Sequence, residues 1–135
     1  MALITWDQSY SVKVAELDGH HQKLFFLLNT LHDAMREGKG SSVIQTIVVE
    51  LANYTHTHFQ REEALMEQTK FPGLDVHRVE HQKLMAKVSE YKAALDKGSG
   101  VNTSAVLEFL REWLAKHINR MDKAYASHLN ASGIH

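Results

Sequence analysis

HTHFQREEALM, residues 56–66, sets His58 and Glu62 four residues apart, so on a helix both side chains leave the same face about one turn from each other. The rest of that face is mostly apolar: in steps of three and four it runs Ile47, Leu51, Tyr54, His58, Glu62, Leu65. A stripe with that spacing turns toward partner helices, and an imidazole and a carboxylate placed in it need partners, because buried polar groups left unpaired are costly.

Working outward, three more stretches carry the same seam. The first is His21, Leu24, Leu28, Leu31, Met35, the third His77, His81, Leu84, Val88, Tyr91, Leu95, and the fourth Val106, Leu110, Trp113, His117, Met121. Turn and breaker clusters at EGKGSS (37–42), KFPGLD (70–75) and KGSGVNTS (97–104) separate them. Gly38 and Gly98 sit where helix C-caps belong, Ser42 with Gln45 resembles a capping box, and Pro72 lies in a connection. These signals predict helices over roughly 18–37, 43–66, 74–96 and 103–126, in one all-α domain spanning 1–135. Short connections make consecutive helices antiparallel, giving an up-down-up-down four-helix bundle preceded by an extended N-terminal arm.

Five of the ten histidines fall on seams: His21, His58, His77, His81 and His117. His20, His32 and His56 are out of register, and His128 and His135 are assigned to a C-terminal tail. Depth along the bundle sorts them a second time. His21 and the pair His77 and His81 are near helix starts, while His58 and His117 are near helix ends, and antiparallel packing brings those ends together. Five imidazoles converging with Glu62 in a core point to a shared partner, and a metal ion supplies one.

Composition narrows the function classes. The 135 residues suit a single core, and 15 Lys and Arg against 16 Asp and Glu leave nothing that favours nucleic acid or an anionic membrane. The absence of cysteine excludes disulfides, thiolate nucleophiles and thiolate-held zinc or iron–sulfur clusters. With neither a basic-then-apolar leader nor a membrane-length apolar stretch, the sequence predicts a cytoplasmic protein that does not enter a membrane; a monomer that binds no nucleic acid is the accompanying expectation.

Four segments, LDGHHQKLF (17–25), HFQREEALM (58–66), HRVEH (77–81) and HINRMD (117–122), resemble in order the four ligand motifs of the hemerythrin family, and the arm with Trp6 and Asp7 is similar too. The resemblance covers nearly the whole chain. It implies reversible dioxygen binding without turnover at two non-haem irons. His77, His81 and His117 would hold one iron and His21 and His58 the other, bridged by Glu62, Asp122 and an oxygen atom. That ligand set leaves one free position, on the two-histidine iron. The resemblance also implies a dioxygen pocket of Leu24, Phe59, Trp113, Leu114 and Ile118, and an oxygen-consuming protein as a possible recipient.

Two departures stand beside it. The family has Gln before its first ligand histidine where this chain has His20, so His20 competes with His21, although the seam favours His21. Asp122 follows His117 by five residues, a rotation of about 500° on a regular helix, which would turn it ~140° away from His117. A bridging Asp122 therefore predicts a locally widened, π-like turn between the two. A di-iron oxidase or peroxidase of the ferritin-like kind is the competing function, with an iron- or oxygen-responsive regulator as a third. Ferritin-like sites use Glu-x-x-His pairs, and the chain contains none.

Overall fold

A computed structural model describes residues 3–39, 41–97 and 103–135. Four long helical segments form the bundle: α1 (Ala15–Arg36), α2 (Ser41–Gln68), α3 (Leu74–Asp96), and a fourth made of α4 (Thr103–His117), a π-helical turn (Ile118–Asp122) and α5 (Lys123–Ala131). Cross-helix pairs show alternating direction. Glu16 meets Arg61 and His20 meets His58; Arg78 meets Glu63 while Gln45 meets Asp96; Tyr91 meets Phe109 while His81 meets His117. Each helix thus runs antiparallel to the one before it. Among the described residues no helix is long and apolar enough to cross a membrane.

Several helix ends differ from the sequence-based boundaries. α1 begins at Ala15, three residues early, with Glu16 and Asp18 in its first turn, where the helix dipole favours acids. α2 already includes Ser41, so Ser42 is helical rather than an N-cap, and Gln45 bonds Asp96 across the bundle instead of closing a capping box. Gly98 lies outside the described residues. The fourth segment continues to Ala131, so His128 is helical rather than part of a tail, with its Nε2 2.6 Å from the Thr69 carbonyl oxygen.

Three helices stop in the same way. After α1, Gly38 (φ 67°) and Lys39 donate to the carbonyls of Met35 and Ala34, and after α5, Gly133 (φ 86°) and Ile134 donate to Asn130 and Leu129. This reversed pairing satisfies carbonyls at the helix end and requires a left-handed residue, which glycine adopts without strain. After α2 the left-handed position is Lys70 (φ 58°), with Phe71 donating to Met66. Relief of that strain, less the larger chain entropy of glycine, should make Lys70→Gly more stable by roughly 0.5–1 kcal/mol. Urea unfolding with an unchanged slope would show it.

The core is filled from α1 by Leu17, Leu24, Leu27, Leu28 and Leu31, and from the other helices by residues such as Val48, Leu51, Leu84, Val88, Val106 and Leu110. The arm is part of it. Val12 and Val14 are buried, the side-chain amide of Asn29 accepts from the Ile4 N–H and donates to the Ile4 carbonyl, Asp18 receives the Val12 amide and the Ser11 hydroxyl, and Asn130 of α5 donates to the Lys13 carbonyl. The arm therefore braces α1 and α5 at the end where the seam histidines gather.

Candidate metal centre

The side chains that interrupt the apolar seams meet at that end. His21, His58, Glu62, His77, His81, His117 and Asp122 are all buried. They form two groups, one of Glu62, His77, His81, His117 and Asp122 and one of His21, His58, Glu62 and Asp122, each with its ligand atoms within 4.8 Å of one another. Asp122 reaches the centre because the helix widens: the five residues after His117 form a π turn, which realigns position five with position zero and leaves Asp122 Oδ1 3.0 Å from His117 Nε2.

Each carboxylate divides its oxygens between the groups. Glu62 Oε1 is 3.0 Å from both His77 and His81 Nε2, while Oε2 is 3.1 Å from His58 Nε2 and 3.7 Å from that of His21. Asp122 Oδ1 is 2.9 Å from His77 Nε2, and Oδ2 is 3.0 Å from His21 Nε2. Despite these distances, His21 Nε2, Glu62 Oε1 and both Asp122 oxygens have no aligned hydrogen-bond partner. Buried polar atoms gathered within 4.8 Å of one another and lacking aligned hydrogen bonds are groups that could hold a metal ion. The donor set, imidazole with carboxylate, suits first-row transition metals.

Neighbouring groups hold the rings. Phe59 stacks on His81 at 3.6 Å between centroids and Trp113 on His117 at 4.2 Å, both nearly parallel. Glu63 takes His81 Nδ1 at 2.8 Å and Arg78 at 3.1 Å, and the Tyr125 hydroxyl donates to Glu62 Oε2 at 2.9 Å. Periodicity did not single out Glu63 or Tyr125. Glu63 is adjacent to the seam rather than on it, and Tyr125 lies beyond the widened turn, where a regular period no longer applies. His20 belongs to neither group; it faces His58 from outside.

Without metal, the centre is a charge network. Burial would depress His21 and His77, but Asp122 and Glu62 outweigh it and hold each at about 9, against an ordinary 6.5. Burial and Glu62 push Asp122 up, and the histidines, His117 first, more than reverse this; Glu62 is likewise held low against burial, His58 first. The raised histidine values stabilise the metal-free fold fully below pH 6.5, and that contribution is lost as pH rises through about 9. A metal must displace those hydrogens. Loading at pH 7 should therefore release protons, and apparent metal affinity should strengthen as pH is raised toward 9. Titration in a weakly buffered indicator solution would measure both.

An apolar cavity of about 30 Å³ adjoins this shell, lined by Leu24, Leu28, Thr55, Phe59, Leu84, Leu110, Trp113 and Leu114. Four of the five residues expected in a dioxygen pocket are among its walls. Ile118 is not; it is fully buried on the π turn. The polar wall residue, Thr55, donates its hydroxyl hydrogen to the Leu51 carbonyl.

Residues 12–129 match the hemerythrin HHE cation binding domain. The chain belongs to the hemerythrin family. It is 30% identical over 131 residues to the bacteriohemerythrin of Stenotrophomonas maltophilia (strain R551-3), covering 97% of this chain and 84% of that protein. The bacteriohemerythrin of Methylococcus capsulatus (strain ATCC 33009 / NCIMB 11132 / Bath) is also 30% identical, over 97% of this chain and all of its own length. A crystal structure of wild-type hemerythrin superposes with a TM-score of 0.90 at 29% identity, covering 95% of this chain and 98% of that one. Within this hemerythrin domain, the buried seven-residue cluster lies in the matched span.

Proposed function

We propose that the protein binds dioxygen reversibly at a pair of non-haem irons, for storage, delivery or sensing, without turnover. The observation that carries this is the unequal donor count: three imidazoles and two shared carboxylates in one group, but two imidazoles and the same carboxylates in the other. His77, His81 and His117 would hold one iron and His21 and His58 the second, with Glu62 and Asp122 spanning both. When bound, the irons supply electrons that no side chain here can lend to dioxygen and recover. The side chains offer one imidazole fewer on the two-histidine side, where dioxygen would bind, keep both carboxylates anionic, and exclude water.

Water exclusion has a structural basis. A cavity of about 30 Å³ exceeds the volume that a single water needs, yet its walls offer almost no free polar partner, so it stays dry and suits a small apolar molecule. Phe59 and Trp113, which line it, are the rings stacked on His81 and His117. Leu114, one turn before His117, lines it beside Trp113. Leu114→Ala should admit water and accelerate irreversible oxidation of the iron-loaded protein several-fold; an unchanged rate would count against this lining.

Five histidines against two carboxylates separate this cluster from the carboxylate-rich oxidase type. Oxygen uptake by the anaerobic ferrous protein tests the choice. A carrier takes up one dioxygen per pair of irons and then stops, even with reductant present. Continued consumption would assign an oxidase.

A further inference from the structure

Two of the inward-facing histidines are braced from outside the cluster, and the braces differ. His81 Nδ1 meets a carboxylate, Glu63. His58 Nδ1 meets a second imidazole, with Nδ1 of His20 at 2.9 Å. Two ring nitrogens that close share one hydrogen, so one ring donates and the other accepts. His58 turns Nε2 inward, 3.1 Å from Glu62 Oε2. With that lone pair given to a metal, neutral His58 carries its hydrogen on Nδ1 and is the donor. His20 must then accept on Nδ1 and carry its own hydrogen on Nε2. That atom faces Glu16 Oε2 at 4.0 Å, and Glu16 is held by two hydrogen bonds from Arg61. The contact between the two Nδ1 atoms thus sets which nitrogen of each ring is free, with the Arg61-anchored Glu16 carboxylate lying on the Nε2 side of His20.

We propose that His20 is a positioning residue for the metal held by His21 and His58, fixing the tautomer and ring plane of His58 from outside the ligand set. This rests on the two-metal reading above. It also explains why His20, adjacent in sequence to His21, is no competitor for the metal: its Nδ1 is occupied by His58, and its ring is partly exposed on the outer side of α1. The two metals are consequently braced unequally. A carboxylate behind His81 makes that ring a stronger donor than a neutral imidazole makes His58, so the two-histidine metal is the one that depends on its brace.

Cobalt(II), which reports coordination through its visible absorption without redox chemistry, tests this by titration into the metal-free protein against a competing chelator. Wild type should bind two ions in distinguishable steps. In His20→Ala and His20→Leu, neither of which can accept a hydrogen bond, the weaker step should lose about 10–100-fold in affinity while the tighter step is unchanged. His20→Gln, whose amide oxygen can accept from His58, should restore the weaker step; circular dichroism of the metal-free variants identifies those that fold, and either apolar variant suffices. Equal weakening of both steps, no weakening, or failure of Gln to restore affinity would overturn the proposal. Fewer than two cobalt ions in wild type would instead overturn the two-metal reading, and this proposal with it.

Discussion

Glu62→Gln should reduce metal content from two ions per chain to fewer than one. Glu62 contributes to both donor groups and lies within 3.1 Å of His58, His77 and His81, so its charge is shared by three imidazoles and would be shared by both metals of the proposed pair. An amide keeps the volume but supplies one acceptor and no charge. Breaking a buried ionic network by removing one partner typically costs about 3–5 kcal/mol, which corresponds to more than a hundredfold in affinity. The neighbouring Glu63→Gln is the control. Of the cluster Glu63 meets the outer nitrogen of His81, its other oxygen taking Arg78, so its loss should weaken binding by roughly 10–100-fold and leave two ions bound when metal is in excess. Elemental analysis after gel filtration separates the two cases, and equal loss in both variants would contradict the assigned roles.

The second large effect is thermal. Removing metal should lower the melting temperature by roughly 15 °C, taking a site saturated at about a thousand times its dissociation constant, worth ~4 kcal/mol, and the few degrees per kcal/mol typical of a domain this size. The physical reason is the set of buried atoms with no aligned partner, on His21, Glu62, His77 and Asp122. Protonation of His21 and His77 offsets part of the loss at neutral pH, so the drop should grow as the pH approaches 9. Calorimetry of loaded and chelator-treated protein across pH 6–9 would measure it, and a metal-independent melting temperature would contradict the cluster's role.

How much of this was legible depends on how each residue acts. Side chains that point inward at helical spacing show themselves by periodicity, and His21, His58, Glu62, His77, His81 and His117 were all read from their seams. Asp122 was out of phase with its seam; the family resemblance placed it in the cluster, and the two together predicted the widened turn that the structure contains at Ile118–Asp122. Groups that act sideways or through an outer nitrogen left no periodic trace: Glu63 on His81, Tyr125 on Glu62 and His20 on His58 are visible only once helices are packed. The same limit explains the cavity. Leu28, Thr55, Leu84 and Leu110 line it because four helices meet there, a juxtaposition no single seam encodes. His128 was misplaced because the sequence signals stopped the fourth helix short, whereas packing extends it to Ala131, with Leu129 buried.

The most direct measurement is visible absorption of the iron-loaded protein, with iron counted per chain, through an anaerobic, aerated and again anaerobic cycle. Two irons per chain and a charge-transfer band that appears with dioxygen and disappears on its removal are the predicted result. A stable two-iron protein whose spectrum does not respond to dioxygen, or bleaches without recovery on the first exposure, would contradict reversible dioxygen binding.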